Sequence, residues 1–133
     1  IKGGGGALLR EKIVARGSDR VVYIADASKQ VQTLGAFPLP VEVIPFATAF
    51  VHSRIAALGC APVLRRNGDG SEFRSDESNI ILDCPFGRIG DAEALAAELS
   101  LIPGVVEHGL FLGMIDTVVL AGDAGIRLLS SSK

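Results

Sequence analysis

The stretch Lys2-Gly3-Gly4-Gly5-Gly6-Ala7-Leu8-Leu9-Arg10-Glu11-Lys12 decides how this chain is read. Four consecutive glycines let the backbone take conformations closed to other residues, and without side chains their amides can approach a ligand closely. Ala7 to Arg16 is built of good helix formers and stops at Gly17, a residue suited to the left-handed position just past a helix end. The loop therefore opens a helix, whose N-terminal amides and partial positive charge add to an anion cradle. Helical spacing sets Glu11 beside Ala7, Leu8, Val14 and Ala15, none of them basic, while Arg10, Lys12 and Arg16 point elsewhere around the helix. A carboxylate on such a face is either solvated or aimed into a cleft.

The glycines do not fit the phosphate-loop pattern GxxxxGK followed by Ser or Thr, nor the dinucleotide pattern that follows a strand. Further words follow in order: Ile24-Ala25-Asp26-Ala27-Ser28-Lys29, Phe37-Pro38-Leu39-Pro40-Val41-Glu42-Val43-Ile44-Pro45, Asn79-Ile80-Ile81-Leu82-Asp83, Ile102-Pro103-Gly104-Val105-Val106 and Gly109-Leu110-Phe111. With the glycine loop they cover nearly the whole chain, and together they resemble ribose-5-phosphate isomerase of the A type.

That resemblance implies an α/β protein, the C-terminal part of a Rossmann-like parallel-sheet domain plus an inserted ferredoxin-like α+β domain. It implies an aldose-ketose isomerase of the non-oxidative pentose phosphate pathway that needs no cofactor. Glu11 matches the family's proton acceptor, Lys2, Gly3, Gly4 and Gly5 its substrate-binding loop, and Lys29 its contact to the substrate phosphate. It further implies a sugar-phosphate ligand and a homodimer or homotetramer. The family's Thr-Gly-Ser-Thr and Asp-Gly-Ala-Asp loops do not occur in these residues, and the chain begins at Ile1, so an additional N-terminal segment is expected to complete the site. A different class, a non-catalytic sugar-phosphate-binding or oligomerisation fragment of the same fold, shares the architecture.

Global properties agree with one or two small units. The chain has 133 residues, 48% of them apolar, enough for a folded core. A formal net charge of -2 and the lack of basic runs argue against nucleic acid or an anionic membrane as partner, and the pair Arg65-Arg66 is too small to argue from. No apolar run approaches the roughly 20 residues of a membrane span and no signal-peptide layout is present, so a soluble cytoplasmic protein is the expectation. Cys60 and Cys84 have neither CxxC spacing nor a framework around them and read as reduced, partly buried thiols. His52 and His108 lack ligand-spaced partners and read as structural or surface residues, the acidic residues between Asp69 and Glu77 do not follow a calcium-loop spacing, and no metal site is expected.

Along the chain, Val21 to Ala25 is a continuous apolar run, as in a strand buried on both faces of a parallel sheet. It delivers Asp26, Ser28 and Lys29 to the strand's carboxyl end, where open α/β sheets gather ligands. Gly35, Pro38, Pro40 and Pro45 then mark a crossing into a second unit. Pro45 opens a helix with an apolar stripe of Phe46, Phe50, Val51, Ile55 and Leu58 that Gly59 closes. Val63 to Arg65 and Asn79 to Cys84 read as strands joined by an exposed polar tip, 66–78, with Asn-Gly and Asp-Gly turns. Asp91 caps a helix carrying Leu95, Leu99 and Ile102, and Val105 to Phe111 reads as the next strand. This order, strand, helix, two strands, helix, strand, is the split βαβ pattern of a ferredoxin-like unit. The division is 1–38 for the first, partial domain, 39–112 for the ferredoxin-like one and 113–133 for a hairpin that returns to the first. The tail from Ser130 to Lys133 reads as frayed.

Overall fold

A computed structural model describes residues 1–131. Helix α1 (Leu8–Arg16) leads into strand β1 (Val22–Asp26) and a tight helical turn at Ala27–Lys29. Next come β2 (Leu39–Val43), α2 (Thr48–Ala56), β3 (Val63–Leu64), β4 (Ile80–Cys84), α3 (Ala92–Ser100) and β5 (Val105–His108), and then the pair β6 (Thr117–Gly122) and β7 (Gly125–Ser130). Among the described residues no helix is long and apolar enough to cross a membrane.

Two sheets organise these elements. One has the order β3-β4-β2-β5 with every neighbouring pair antiparallel, the arrangement that a split βαβ unit produces. The other has the order β1-β6-β7, with β1 and β6 parallel and β6 and β7 a hairpin. The chain therefore leaves the first sheet after β1, builds the ferredoxin-like unit, and returns to pair β6 with β1.

Because side chains alternate along a strand, β2 and β4 present two faces. Leu39, Val41, Val43, Ile80, Leu82 and Cys84 face α2 and α3 and form the core with Val51, Ile55, Leu99 and Ile102. Pro40, Glu42, Ile81 and Asp83 alternate with them, and this second face receives α1 and the glycine loop. Lys12 of α1 donates from Nζ to Glu107 Oε1 and to the His108 carbonyl, both at 2.6 Å. The helix that the glycines open is thus fixed to β5 of the four-stranded sheet.

Asp91 caps α3 as its sequence position predicts, accepting from the Ala94 amide at 2.9 Å. Several other expectations are corrected. Gly17 has φ -84° rather than a left-handed value; the Ser18 hydroxyl, donating to the Val14 carbonyl at 2.6 Å, satisfies the helix end without a reversal. Strand β1 is not buried on both faces, since Val22 and Ile24 are 49% and 74% exposed while Tyr23 turns toward Lys2. In this sheet β1 is an edge strand, and its outer face has no covering layer among the described residues. The stripe of α2 is narrower than predicted. Pro45 starts a separate three-residue turn, α2 begins only at Thr48, and Val51 and Ile55 alone of the helix face the sheet, leaving Phe46 99% exposed.

The fifth strand ends at His108 rather than Phe111 because Gly109 passes directly under Lys2: a Cβ there would lie 2.1 Å from the Lys2 carbonyl oxygen. The segment 66–78 is exposed at its turns but not throughout. Ser75 is buried and donates to Glu42 Oε1 at 2.6 Å, and Phe73 packs on the glycine loop. At the other end Ser130 belongs to β7 and the Ser131 amide donates to the Asp116 carbonyl at 3.0 Å; Ser132 and Lys133 lie outside the described residues. The cysteines are free thiols, both raised by burial, Cys84 the more so with Cys60 beside it.

Candidate active site

The loop takes its shape from Gly3 and Gly6, at φ +102° and +82°, with the Gly6 amide donating to the Gly3 carbonyl at 3.0 Å. Neither position has room for a side chain: a Cβ on Gly3 would meet Leu8 Cδ2 at 2.8 Å, and one on Gly6 would meet Phe73 Cζ at 2.3 Å. Gly4 and Gly5 differ. A Cβ on Gly5 would touch nothing within 4 Å, so the space beside it is open. Among the described residues the Gly4 and Gly5 amides donate to no protein acceptor. The loop thus offers unoccupied amide donors on a backbone that a ligand can reach.

Lys2 enters from the segment before the loop, fixed by its amide donating to the Gly109 carbonyl at 2.8 Å. Its Nζ stands 3.3 Å from Glu11 Oε1 and 4.7 Å from the centre of the Tyr23 ring. The basic partner that helical spacing denied to Glu11 comes from outside the helix. Their side chains are 23% and 41% exposed, so the pair is reachable from a cleft while its surroundings include apolar rings.

On the facing side, Asp26 at the end of β1 accepts from the Ser28 amide at 2.9 Å and from the Ser28 hydroxyl. The bond from the Ser28 hydroxyl, with that from its amide, holds the Asp26 carboxyl below the usual carboxylate range. This local turn presents Lys29 at the cleft. Lys2, Gly3, Gly4, Gly5, Glu11 and Lys29, the six residues singled out in the sequence, line one cleft of about 590 Å³, with Tyr23, Ser28 and the segment 33–37 completing its wall. It holds one carboxylate, two ammonium groups and open backbone amides, which suits a polyhydroxy anion.

A second cleft, about 610 Å³, lies between α1, α3 and β5 and contains Lys12, Glu107 and His108. Lys12 and Glu107 engage one another there, so that cleft is lined by a satisfied pair. Among the described residues no group of three His, Cys, Asp or Glu side chains is placed to hold a metal ion. Sequence reasoning missed Tyr23 and the residues of the ferredoxin-like unit that touch the loop, Arg65 and Phe73. Their partners are distant in sequence, and no local pattern marks them.

A parallel pair returning from a ferredoxin-like unit, with a glycine loop and a carboxylate-lysine pair lining one cleft, defines an α/β protein. The chain belongs to the ribose 5-phosphate isomerase A (phosphoriboisomerase A) family, whose sequence profile matches residues 1–125. It is 53% identical to ribose-5-phosphate isomerase A of Agrobacterium fabrum over 98% of its own length and 59% of the relative's. The same enzyme of Rhodopseudomonas palustris strain TIE-1 is 58% identical, over 97% of this chain and 58% of the relative. Among solved structures, ribose 5-phosphate isomerase A of Methanocaldococcus jannaschii superposes with a TM-score of 0.92 at 39% identity, covering 98% of this chain and 58% of that one. A D-ribose-5-phosphate isomerase in complex with phospho-erythronic acid gives a TM-score of 0.93 at 32% identity, over 98% and 58%. The chain spans somewhat under three fifths of the length of these relatives.

Proposed function

We propose that this chain carries the proton-transfer half of an isomerase site that interconverts ribose 5-phosphate and ribulose 5-phosphate. The observation that carries the reading is the meeting of Glu11, Lys2 and the open Gly4 and Gly5 amides in one cleft with Lys29. Aldose-ketose exchange moves a proton between adjacent carbons, so it needs one base that takes and returns that proton and donors for the oxygens that become anionic.

In the forward direction the Glu11 carboxylate removes the proton from C2 of the open-chain aldose. The C2–H electron pair becomes the C1=C2 bond of an enediolate as the C1 carbonyl bond shifts to its oxygen. Lys2 and the Gly4 and Gly5 amides stabilise the charge on the oxygens. The proton of the C2 hydroxyl passes to the C1 oxygen, protonated Glu11 gives its proton to C1 as the C2 oxygen forms the carbonyl, and the ketose results with no net change in the enzyme. Lys29 binds the phosphate at the far end of the sugar and contributes equally before and during the reaction. Further phosphate and ring-opening contacts, of the kind the Thr-Gly-Ser-Thr and Asp-Gly-Ala-Asp loops would make, are expected from polypeptide beyond these residues. In this reading 1–38 and 113–133 form one domain, 39–112 the other, and the enzyme works as a cytoplasmic homodimer or homotetramer.

Conversion of ribose 5-phosphate to ribulose 5-phosphate, measured with the intact mass of the sample recorded, tests the proposal. Conversion by a polypeptide that includes these residues, and its loss on changing Glu11, supports it. Tight binding of ribose 5-phosphate with no conversion by a polypeptide carrying both additional loops would favour a sugar-phosphate sensor instead.

A further inference from the structure

Arg65 follows β3, far in sequence from the glycine loop, yet it touches that loop directly. Its Nε and Nη2 donate to Asp83 Oδ2 and Oδ1 at 2.9 and 2.6 Å, a two-pronged pairing that fixes the guanidinium plane. The remaining nitrogen, Nη1, donates to the Gly3 carbonyl at 2.8 Å and the Gly4 carbonyl at 3.2 Å. Arg65 is 14% exposed in its side chain and lies 5.6 Å from the ring centre of Phe73, the ring that packs on Gly6. The ferredoxin-like unit thus grips three of the four glycines.

The consequence follows from peptide geometry. In a trans peptide the C=O of one residue and the N–H of the next point in opposite directions within one rigid plane. The Gly3 carbonyl shares its plane with the Gly4 amide, and the Gly4 carbonyl with the Gly5 amide. Drawing both carbonyls toward Arg65 therefore turns both amides away from it. A positive charge on the carbonyl side also polarises each peptide and strengthens its N–H as a donor.

We propose that Arg65, braced by Asp83, is a positioning residue for the isomerase step: by holding the Gly3 and Gly4 carbonyls it aims the Gly4 and Gly5 amides at the oxygens of the reacting carbons. The inference rests on the isomerase reading, and it makes the ferredoxin-like unit a working part of the site rather than a spacer. Because the grip orients donors for charge that develops during reaction, its loss falls on kcat, whereas the phosphate contact of Lys29 keeps KM.

The test compares Arg65→Met, Arg65→Lys and Asp83→Asn in the polypeptide that shows conversion, reading kcat, KM and the hydrogen exchange of the Gly4 and Gly5 amides. Arg65→Met is expected to lower kcat by about tenfold to a hundredfold, the scale for a misplaced oxyanion donor, with KM within about threefold and faster exchange at both glycines. Arg65→Lys keeps the charge but not the fork, so its kcat stays nearer that of Arg65→Met than the parent's. Asp83→Asn, nearly the same shape, gives an intermediate loss and serves if Arg65→Met does not fold. A folded Arg65→Met or Asp83→Asn with parental kcat overturns the proposal, as does a loss confined to KM. No conversion by the parent would instead remove the isomerase reading, and unchanged glycine exchange in the folded variants would then overturn the grip separately.

Discussion

Lys2 Nζ and Glu11 Oε1 stand 3.3 Å apart across the mouth of the glycine loop, although one lies before the loop and the other inside the helix that follows it. The four glycines make this pairing possible by folding the chain back between them. On the isomerase reading, a substrate entering the cleft meets a carboxylate and an ammonium group already held in register, so little ordering remains to be done at binding.

Replacing the carboxylate isolates its chemistry. Glu11→Gln keeps size and a hydrogen-bond acceptor but cannot take a proton, so kcat should fall by roughly 10²–10⁴ with KM little changed. Steady-state kinetics of the converting polypeptide decide this, and a variant with near-normal turnover would remove Glu11 from the role.

Stability should depend on acid through the polar contact between α1 and β5. His108 is 5% exposed, and burial, aided by the charge of Lys12, lowers it from the ordinary value of 6.5. The unfolded chain then binds this proton at higher pH than the folded one, so the contribution is complete above 6.5 and is lost as pH falls through the folded value. Burial opposes ionisation of Glu107, but the bond from Lys12, the His108 amide and the nearby charges outweigh it and lower Glu107 below 4.5, adding a second loss at lower pH. Lys12 is lowered by burial against the pull of Glu107, so release of its proton as pH rises relieves the cost of burying the charge. Melting temperatures from pH 8 to 4 should fall below about 6.5 and more steeply below about 4.5, and His108→Gln should flatten the upper part. A parent whose melting temperature holds from pH 7 to 5 would refute the assignment.

The same residues show what was legible in the sequence. Composition and turn residues mark α1, β2, β4, α3 and the hairpin of β6 and β7, because helix formers, strand-length apolar runs and Gly or Pro breaks act locally. The six cleft residues were legible as well, through the order of their motifs. Contacts between elements were not. Lys12 reaches His108 across 96 positions and Arg65 reaches Gly3 across 62, and no periodicity records such distances. Burial was misjudged for a related reason: Val22 and Ile24 look like core residues by type, but burial depends on a covering layer, which a strand cannot specify alone.

That uncovered layer predicts association. Ile24, Val119 and Leu128 are in register across β1, β6 and β7, with Ile126 two positions along the same face of β7; Ile24, Ile126 and Leu128 are 74%, 74% and 68% exposed. An apolar sheet face of this kind favours self-association unless another segment covers it. Light scattering of the 133-residue chain at several concentrations should show mass rising with concentration, and its melting temperature should vary accordingly. A monomer with a high, concentration-independent melting temperature would contradict this.

Glycines in one loop should separate into two kinds. Gly6→Ala places a Cβ 2.3 Å from Phe73 Cζ at a φ of +82°, so it should destabilise by about 1–3 kcal/mol and lower the melting temperature. Gly5→Ala meets nothing within 4 Å and Gly5 is not among the positive-φ residues, so the fold should tolerate it within about 0.5 kcal/mol. Its new methyl group stands in the space that lets a ligand reach the loop amides, and conversion should fall at least about tenfold although the protein remains folded. Thermal melts and kinetics on the two variants check both halves. If Gly5→Ala keeps full turnover, the open backbone beside Gly5 is not where the sugar oxygens bind.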